Sequence, residues 1–586
     1  MTSPDRFHGL QSLIWPDEAC HAEDALHFQD PEAAFFDRAA HGVRLRPGGR
    51  LRLMSYFNAY HATRWRQVNP DIVPAFQLKG RGRVRLCWEQ LGADGRLQPL
   101  TEVELALSPD GWSTSPMPAG VSGFLAPCVT GLDDDNLVTE GRYVTALAPR
   151  RSVRLGLVIT HFQRQAQVQG AIARLSALMQ APDYRDKLAL KVIDNSQDLP
   201  PADSEQVQIV PNRNLGGSGG FARGLFEFEA DGGYTHCLFM DDDASCPVES
   251  IRRTLAVLEW ATDDRMAVAG AMLRDDRPRE MHENGATFAG CVHSLHRGLD
   301  LGRLADLART DGLPHIDYGA WWYFAFPLRH VRHYPFPFFV RGDDISFGLA
   351  NRFDILTLNG VCSWQDAFEE KASPLTNYLD TRNHLVHLLT GHVAHGRRAV
   401  RQVLRGFVTR RAEAMLYESA EAALLAVEDV LQGPAFWRAH MDLGERRRML
   451  AELTSVEKAR PLDPATIAQA RLCRSPRRLA TRLAYHLTGR GRLLPGKLLE
   501  PRPALARKGV PASRYALFRF RQVIYLSASG HSGFIARHDA ARLAAIRQRA
   551  RQLQQVLSER FETLSASYHT GYAELTSKAY WQAVYA

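Results

Sequence analysis

His236-Cys237-Leu238-Phe239-Met240-Asp241-Asp242-Asp243 is the stretch on which the fold turns. An apolar run that ends in three carboxylates reads as a buried strand delivering hard oxygen ligands to the mouth of a sheet. Adjacent carboxylates repel one another, so in an ordered site they need a counter-cation; Mn²⁺ or Mg²⁺ carrying a phosphate-bearing substrate is the natural one. An acidic loop or a helix N-cap is the alternative. A second run, Asp133-Asp134-Asp135, lies in a Gly-rich stretch and reads as such a loop.

Working outward, Val153 to Thr160 has a short buried-strand pattern and Val168 to Met179 a helical spacing. Leu188 to Ile193 and Val207 to Val210 read as strands, a helix begins after glycines 216–220, and Thr235 to Met240 is a fourth strand. Strand and helix in alternation imply a mostly parallel sheet with helices on both faces. Upstream, Val84, Leu86 and Trp88 alternate with Arg83 and Arg85, and turn signals recur at Gly92-Ala93-Asp94-Gly95 and Ser108-Pro109-Asp110-Gly111. A small antiparallel sandwich or barrel follows. After about residue 395 strand signals vanish, while Ala412 to Leu431 and Ala540 to Leu564 have helical spacing. The fold class is therefore a multidomain α/β chain. It has an N-terminal β-sandwich (1–150), a central Rossmann-like mixed α/β domain (151–395) and a C-terminal helical domain (396–586).

Composition narrows the class. With 586 residues, 45% hydrophobic and 23% charged, the chain suits an ordinary globular protein of several domains. No window of about 18 uninterrupted apolar residues predicts a membrane span. The N-terminus lacks a basic-then-apolar signal pattern, so a cytoplasmic location is expected. The eight cysteines form no C-x-x-C pair, which argues for reduced thiols over zinc or disulfides. The net charge of +8 is unevenly placed: from Arg471 to Lys508 there are eleven Lys/Arg against one acid, Glu500. Such a block suits an anionic surface, phospholipid or nucleic acid, or else a solvated loop.

Asn214-Leu215-Gly216-Gly217-Ser218-Gly219-Gly220-Phe221 contains a near match to the dinucleotide fingerprint, and Asp241 follows at about the spacing of a ribose-binding acid. A nicotinamide enzyme therefore competes. Against it, two βα-like segments already precede the glycines, and a ribose needs one acid rather than three. The glycines read instead as letting backbone approach a diphosphate at a helix N-terminus, or as close helix packing. Downstream, Trp321-Trp322 suit a sugar face or a core, and Asp343-Asp344 a general base or a cap.

In this order the segments resemble the bacterial polymerising galactofuranosyltransferases, inverting enzymes of glycosyltransferase family 2 with a GT-A fold. The likeness runs through Tyr56-Phe57-Asn58-Ala59 with Trp65-Arg66, Phe162-Gln163-Arg164, the glycine stretch, Met240 to Asp243, Asp317-Tyr318 with Trp321-Trp322, Gly342-Asp343-Asp344, and Tyr378 with Arg382-Asn383. The resemblance implies that Asp241 and Asp243 hold Mn²⁺ or Mg²⁺ bridging the UDP diphosphate. It places Arg164, Asn195, Asn214 and Asp242 along the nucleotide. Asp344 becomes the base, and Trp321, Trp322, Asp343 and His282 line the acceptor or sugar site. Two positions depart from the family. Gln365 stands where a histidine metal ligand is usual, so Gln365 or Asp366 would complete the shell. Ala286 stands where a glutamate is usual, with Glu283 nearby.

The resemblance implies transfer of galactofuranose from UDP-galactofuranose to a glycan or lipid-linked glycan in cell-surface polysaccharide synthesis. The enzyme would be peripheral on the inner face of the cytoplasmic membrane through 471–508, without a nucleic-acid partner. Another nucleotide-sugar donor, an oxidoreductase and a non-catalytic glycan-binding protein stay open as alternatives, as does a homo-oligomer.

Overall fold

The computed structural model describes residues 7–16, 23–29, 33–202, 204–393, 396–472, 479–488 and 495–586. Arg474, Arg477, Arg478, Arg490 and Arg492 of the basic block lie outside the described residues, as do Cys20 and Cys473. No disulfide joins the cysteines of the described residues. The chain is mixed α/β.

The centre is a seven-stranded sheet. In spatial order its strands are Val207–Pro211, Leu188–Asp194, Leu155–His161, His236–Asp241, Phe324–Pro327, Met266–Ala269 and Asp354–Leu356. The chain starts in the middle, moves two strands outward, and returns to the other side of Leu155–His161 at His236–Asp241. That reversal opens a crevice at the carboxyl ends of the two central strands. Both strands are buried along nearly their whole length, with apolar centres, as in a parallel sheet covered on both faces. Their parallel register sets Thr160 opposite Asp241, and His161 opposite Asp194 on the other neighbour. The boundaries expected for these strands and for the helices Gln165–Gln180 and Gly216–Asp231 hold to within a few residues.

A three-stranded sheet of Ala271–Arg274, Arg277–Glu283 and Cys362–Gln365 stands beside the crevice. Reciprocal backbone hydrogen bonds between Ser245 and Trp364 (3.1 and 2.8 Å) stitch the loop after the aspartates to the strand that ends at Gln365.

The N-terminal strands form one continuous hydrogen-bonded set. The 18-residue strand Pro74–Leu91 pairs in its first half with Asn136–Thr145 and Ser113–Pro116, and in its second with Leu97–Leu107 and Phe124–Gly131. Between the halves Gly82 has φ +91°, and a Cβ there would lie 2.6 Å from Asp135 O. This bend folds the strand onto itself, so Phe76, Trp88 and Tyr143 meet in one core (Phe76–Trp88 6.0 Å, Phe76–Tyr143 4.8 Å). Asp133 and Asp135 are the expected solvated loop, paired with Arg83 (3.1 Å) and Arg81 (2.8 Å).

This core is continuous with the central one. Asn359 donates to the carbonyls of Tyr56 (3.0 Å) and Ala59 (2.7 Å), and Phe57 packs on Trp364 at 5.8 Å. Arg253, fully buried, donates to Asn359 O (2.9 Å) and Ser12 O (2.8 Å).

The C-terminal third departs from the all-helical expectation. Helices Pro374–Leu389, Tyr417–Val430, Ala540–Glu559 and Phe561–Leu575 dominate it, but Arg460–Pro461, Ser532–Arg537, Gln522–Leu526, Ala504–Arg507 and Arg471–Leu472 form a five-stranded sheet. Its longest strands have five and six residues, too short for their alternation to stand out between longer helical periods.

Candidate active site

The glycine stretch follows Val207–Pro211, an edge strand, so it does not meet the dinucleotide fingerprint, which belongs at the central strand. Most of its glycines serve packing. A Cβ on Gly220 would lie 2.2 Å from Thr160 Cγ2, and one on Gly224 2.3 Å from Val158 Cγ1. The helix therefore rests directly on the strand Leu155–His161. Gly216 takes φ +69°, and its Cβ would strike Phe339 O at 2.1 Å. Of the expected backbone approach to a ligand, only Gly217 remains, since it alone of these glycines lines the cleft.

That cleft, about 750 Å³, gathers Arg164, Asp241 to Asp243, His282, Trp321, Trp322, Asp343 and Asp344. Asn195 and Asn214 sit behind its wall. Asn195 donates to Gly216 O (3.2 Å) and accepts from Asn212 (2.8 Å), while Asn214 accepts from Gly216 N (3.0 Å). They brace the turn into the glycine helix.

The three aspartates have different neighbours. Asp242 accepts from Phe162 N (3.0 Å), which fixes the Phe162-Gln163-Arg164 turn. Asp243 takes both Arg164 and Lys371, the latter at 2.7 Å. Burial works to raise its pKa, but Lys371 and Arg164 outweigh burial and hold it below the usual carboxylate range. Asp241 is pushed up to about 7, first by burial and then by the charge of Asp243.

Gln365 is fully buried between them and donates to Asp241 Oδ2 and Asp243 Oδ1, each at 3.2 Å. Its own carbonyl oxygen is buried without a hydrogen-bond partner among the described residues. Rotating that amide by half a turn exchanges donor for acceptor and offers a third oxygen beside the two carboxylates. The donor set therefore fits a hard divalent cation. Another cluster, His161, Asp194 and Asp198, is already spent: Asp194 caps the amides of Ser196, Gln197, Asp198 and Leu199, and His161 bonds Asp198 at 2.9 Å.

Across the cleft, Gly342 (φ +75°) starts the helix Asp343–Asn351. Asp343 accepts from Ser218 Oγ at 2.9 Å and is raised to about 6 by burial. Asp344 uses one oxygen on the amide of Ile345 (2.8 Å), and among the described residues the other has no protein donor. Burial, followed by the charge of Asp343, raises its pKa well above the ordinary range. Tyr378, Arg382 and Asn383 support this corner from behind. Arg382 donates to Phe338 O and lies 4.1 Å over Trp437, Asn383 donates to Val340 O (3.0 Å), and Tyr378 to Asp429 (2.7 Å).

Trp321 and Trp322 are 5% and 8% exposed and form the cleft wall. Trp322 donates to Gly270 O (2.9 Å); the indole N–H of Trp321 has no hydrogen-bond partner among the described residues. His282 stacks on Phe368 (5.4 Å), and burial lowers its pKa to about 4, so it is neutral.

Two residues that bond to the site's carboxylates carried no sequence signal. Lys371 sits in an ordinary Glu-Glu-Lys run, and Ser218 is hidden among glycines. Glu283, noted near the missing glutamate, lines the cleft and is pushed up to about 7 by burial, with Ser294 donating to it at 2.5 Å.

The chain is similar in sequence to two galactofuranosyltransferases. The galactofuranosyltransferase GlfT2 of Mycolicibacterium smegmatis (strain ATCC 700084 / mc(2)155) is 24% identical over 603 residues, spanning 92% of this chain and 90% of the relative. The galactofuranosyltransferase GlfT2 of Mycobacterium tuberculosis (strain ATCC 25618 / H37Rv) is 28% identical over 373 residues, 57% of each chain. No family model matches. Among solved structures, the mannosyltransferase PcManGT from Pyrobaculum calidifontis, in complex with GDP-Man and Mn²⁺, aligns over 52% of this chain and 86% of its own at 13% identity, with a TM-score of 0.28.

Proposed function

We propose that this chain, similar in sequence to galactofuranosyltransferases, is a glycosyltransferase that transfers galactofuranose from UDP-galactofuranose to a glycan acceptor with inversion. One observation carries this reading: the aspartate triplet and Asp344, contributed from opposite sides, face a single cleft at the sheet's switch point.

Asp241, Asp243 and Gln365 would hold Mn²⁺ or Mg²⁺. The ion, when bound, offsets the charge that develops on the UDP leaving group. Arg164 and Lys371, already beside Asp243, supply fixed positive charge on the same side. Asp344, which has a carboxylate oxygen free of protein donors among the described residues and faces the cleft, takes the proton of the acceptor hydroxyl. A single base with direct displacement inverts the anomeric carbon. Asp343, tied to Ser218, positions that helix start against the glycine helix. Trp321, Trp322 and His282 give the acceptor apolar, uncharged walls.

No helix of the described residues is long and apolar enough to cross a membrane. We place the enzyme peripherally on the cytoplasmic face, docked through 471–508. In the described part of that segment Leu483 and Leu487, one helical turn apart, are 60% and 73% exposed, which suits insertion among headgroups beside basic side chains.

Incubation with a panel of UDP-sugars and Mn²⁺ or Mg²⁺, with UDP release followed with and without EDTA, tests the reading. Release with UDP-galactofuranose that EDTA abolishes is expected. Release only with another UDP-sugar would move the donor assignment. NADH oxidation, or no turnover with any donor, would overturn it.

A further inference from the structure

The helix Asp343–Asn351 has a second end. Its nine residues span about 13 Å, and at the carboxyl end lies a separate concavity of about 510 Å³. Arg265, Arg332, Arg352, His333, His392 and His569 line it, and no aspartate or glutamate does.

The floor is built rather than incidental. Asn351, buried, accepts from the amides of Arg332 (2.7 Å) and His333 (2.9 Å) and donates to His333 O (2.9 Å) and Phe347 O (3.0 Å). Arg265 is committed to the carbonyls of Asn351 (2.7 Å) and Arg352. Arg352 closes the helix in the left-handed conformation at φ +53°. These bonds hold two further guanidinium-bearing residues, Arg332 and Arg352, on one rim. Both are exposed, and no carboxylate of the described residues is within ion-pair distance of either. His392, also in the lining, sets its ring edge-on to Tyr572 (4.8 Å), and its Nε2 is buried without a hydrogen-bond partner among the described residues.

Basic side chains do complement a helix carboxyl terminus, and one would suffice. Here Arg332 and Arg352 line the same concavity as Arg265 without a carboxylate partner among the described residues, and an anion would offset their charge. Guanidinium forks match the oxygen pairs of phosphate, and an imidazole N–H adds a donor.

We propose that this concavity is a binding site for a phosphate-type oxyanion, supplied by free phosphate or diphosphate or by an anionic lipid headgroup. It stands apart from the transfer site and does not depend on the donor assigned there.

The test compares the full chain with Arg332→Gln/Arg352→Gln in two arms. One titrates inorganic pyrophosphate calorimetrically in EDTA. The other measures co-sedimentation with phosphatidylglycerol vesicles against phosphatidylcholine vesicles. The catalytic cleft and 471–508 are intact in both proteins, so their difference reads the second concavity. Affinity for pyrophosphate should fall about tenfold or more in the double variant, while Arg332→Lys/Arg352→Lys retains most of it. A loss confined to the vesicle arm assigns the site to a headgroup. Equal binding by wild type and the Gln variant in both arms, or no binding by wild type in either, overturns the proposal.

Discussion

The side-chain amide of Gln365 donates to Asp241 across 3.2 Å while its own carbonyl oxygen is buried without a hydrogen-bond partner among the described residues. A cation between the carboxylates would turn that amide over and satisfy the stranded oxygen.

Gln365→Ala should therefore weaken Mn²⁺ binding, on the order of tenfold or more. Gln365→His should strengthen it, since imidazole is the better ligand for a transition metal. Calorimetric titration of Mn²⁺ reads both, and an alanine variant that binds as wild type does would remove Gln365 from the shell.

Lys371 competes for the same carboxylate. Lys371→Met should tighten Mn²⁺ binding, because Asp243 loses the cation held 2.7 Å away. It should also slow transfer if the ammonium serves the leaving group. Metal affinity and kcat moving in opposite directions is the expected signature.

Asp344→Asn should lower kcat by about 10²- to 10⁴-fold and leave UDP affinity nearly unchanged. Burial and Asp343 raise the carboxyl, so in wild type the base is lost on acidification at a pH above the ordinary carboxylate range. The acidic limb of kcat/KM should lie correspondingly high. Undiminished turnover in the Asn variant would reassign the base.

Glu283 gives a stability prediction. Its carboxyl is raised from 4.5 to about 7 by burial, so the folded state holds its proton more tightly than the unfolded chain. Stability is then present below about pH 4.5 and is lost as pH rises through 7, by about 3 kcal/mol. Glu283→Gln should melt higher than wild type at pH 8 and level with it at pH 4. A gap that stays constant with pH would contradict this.

The glycines separate packing from binding. Gly220→Ala and Gly224→Ala should each cost about 1–3 kcal/mol, because their methyls would meet Thr160 and Val158 at 2.2 and 2.3 Å. At Gly217 the nearest atom would be 3.5 Å away. Gly217→Ala should keep its melting temperature and raise the KM for donor.

The central sheet was legible because fully buried parallel strands write continuous apolar runs, as in Leu155–His161, and because the aspartates mark where one stops. The same patterns missed the strands Gln522–Leu526 and Ser532–Arg537, whose brief alternation is outweighed by the helices around them. Within the site, Asp241, Asp243 and Asp344 could be read from residue type and placement. Lys371 could not, since only the fold brings it 2.7 Å from Asp243. Asn195 and Asn214 carry the opposite lesson: polar residues next to a site are often consumed in shaping its backbone.

The hydrogen bonds that Arg253 and Asn359 make to residues 12, 56 and 59 bear on how such a chain can change. A graft that exchanged the first 150 residues for another sheet would strand a buried guanidinium and an amide, and would free Trp364 just before Gln365. The leading segment thus acts as a brace for the strand that carries Gln365, and its loss would be felt in the cleft without any cleft residue changing.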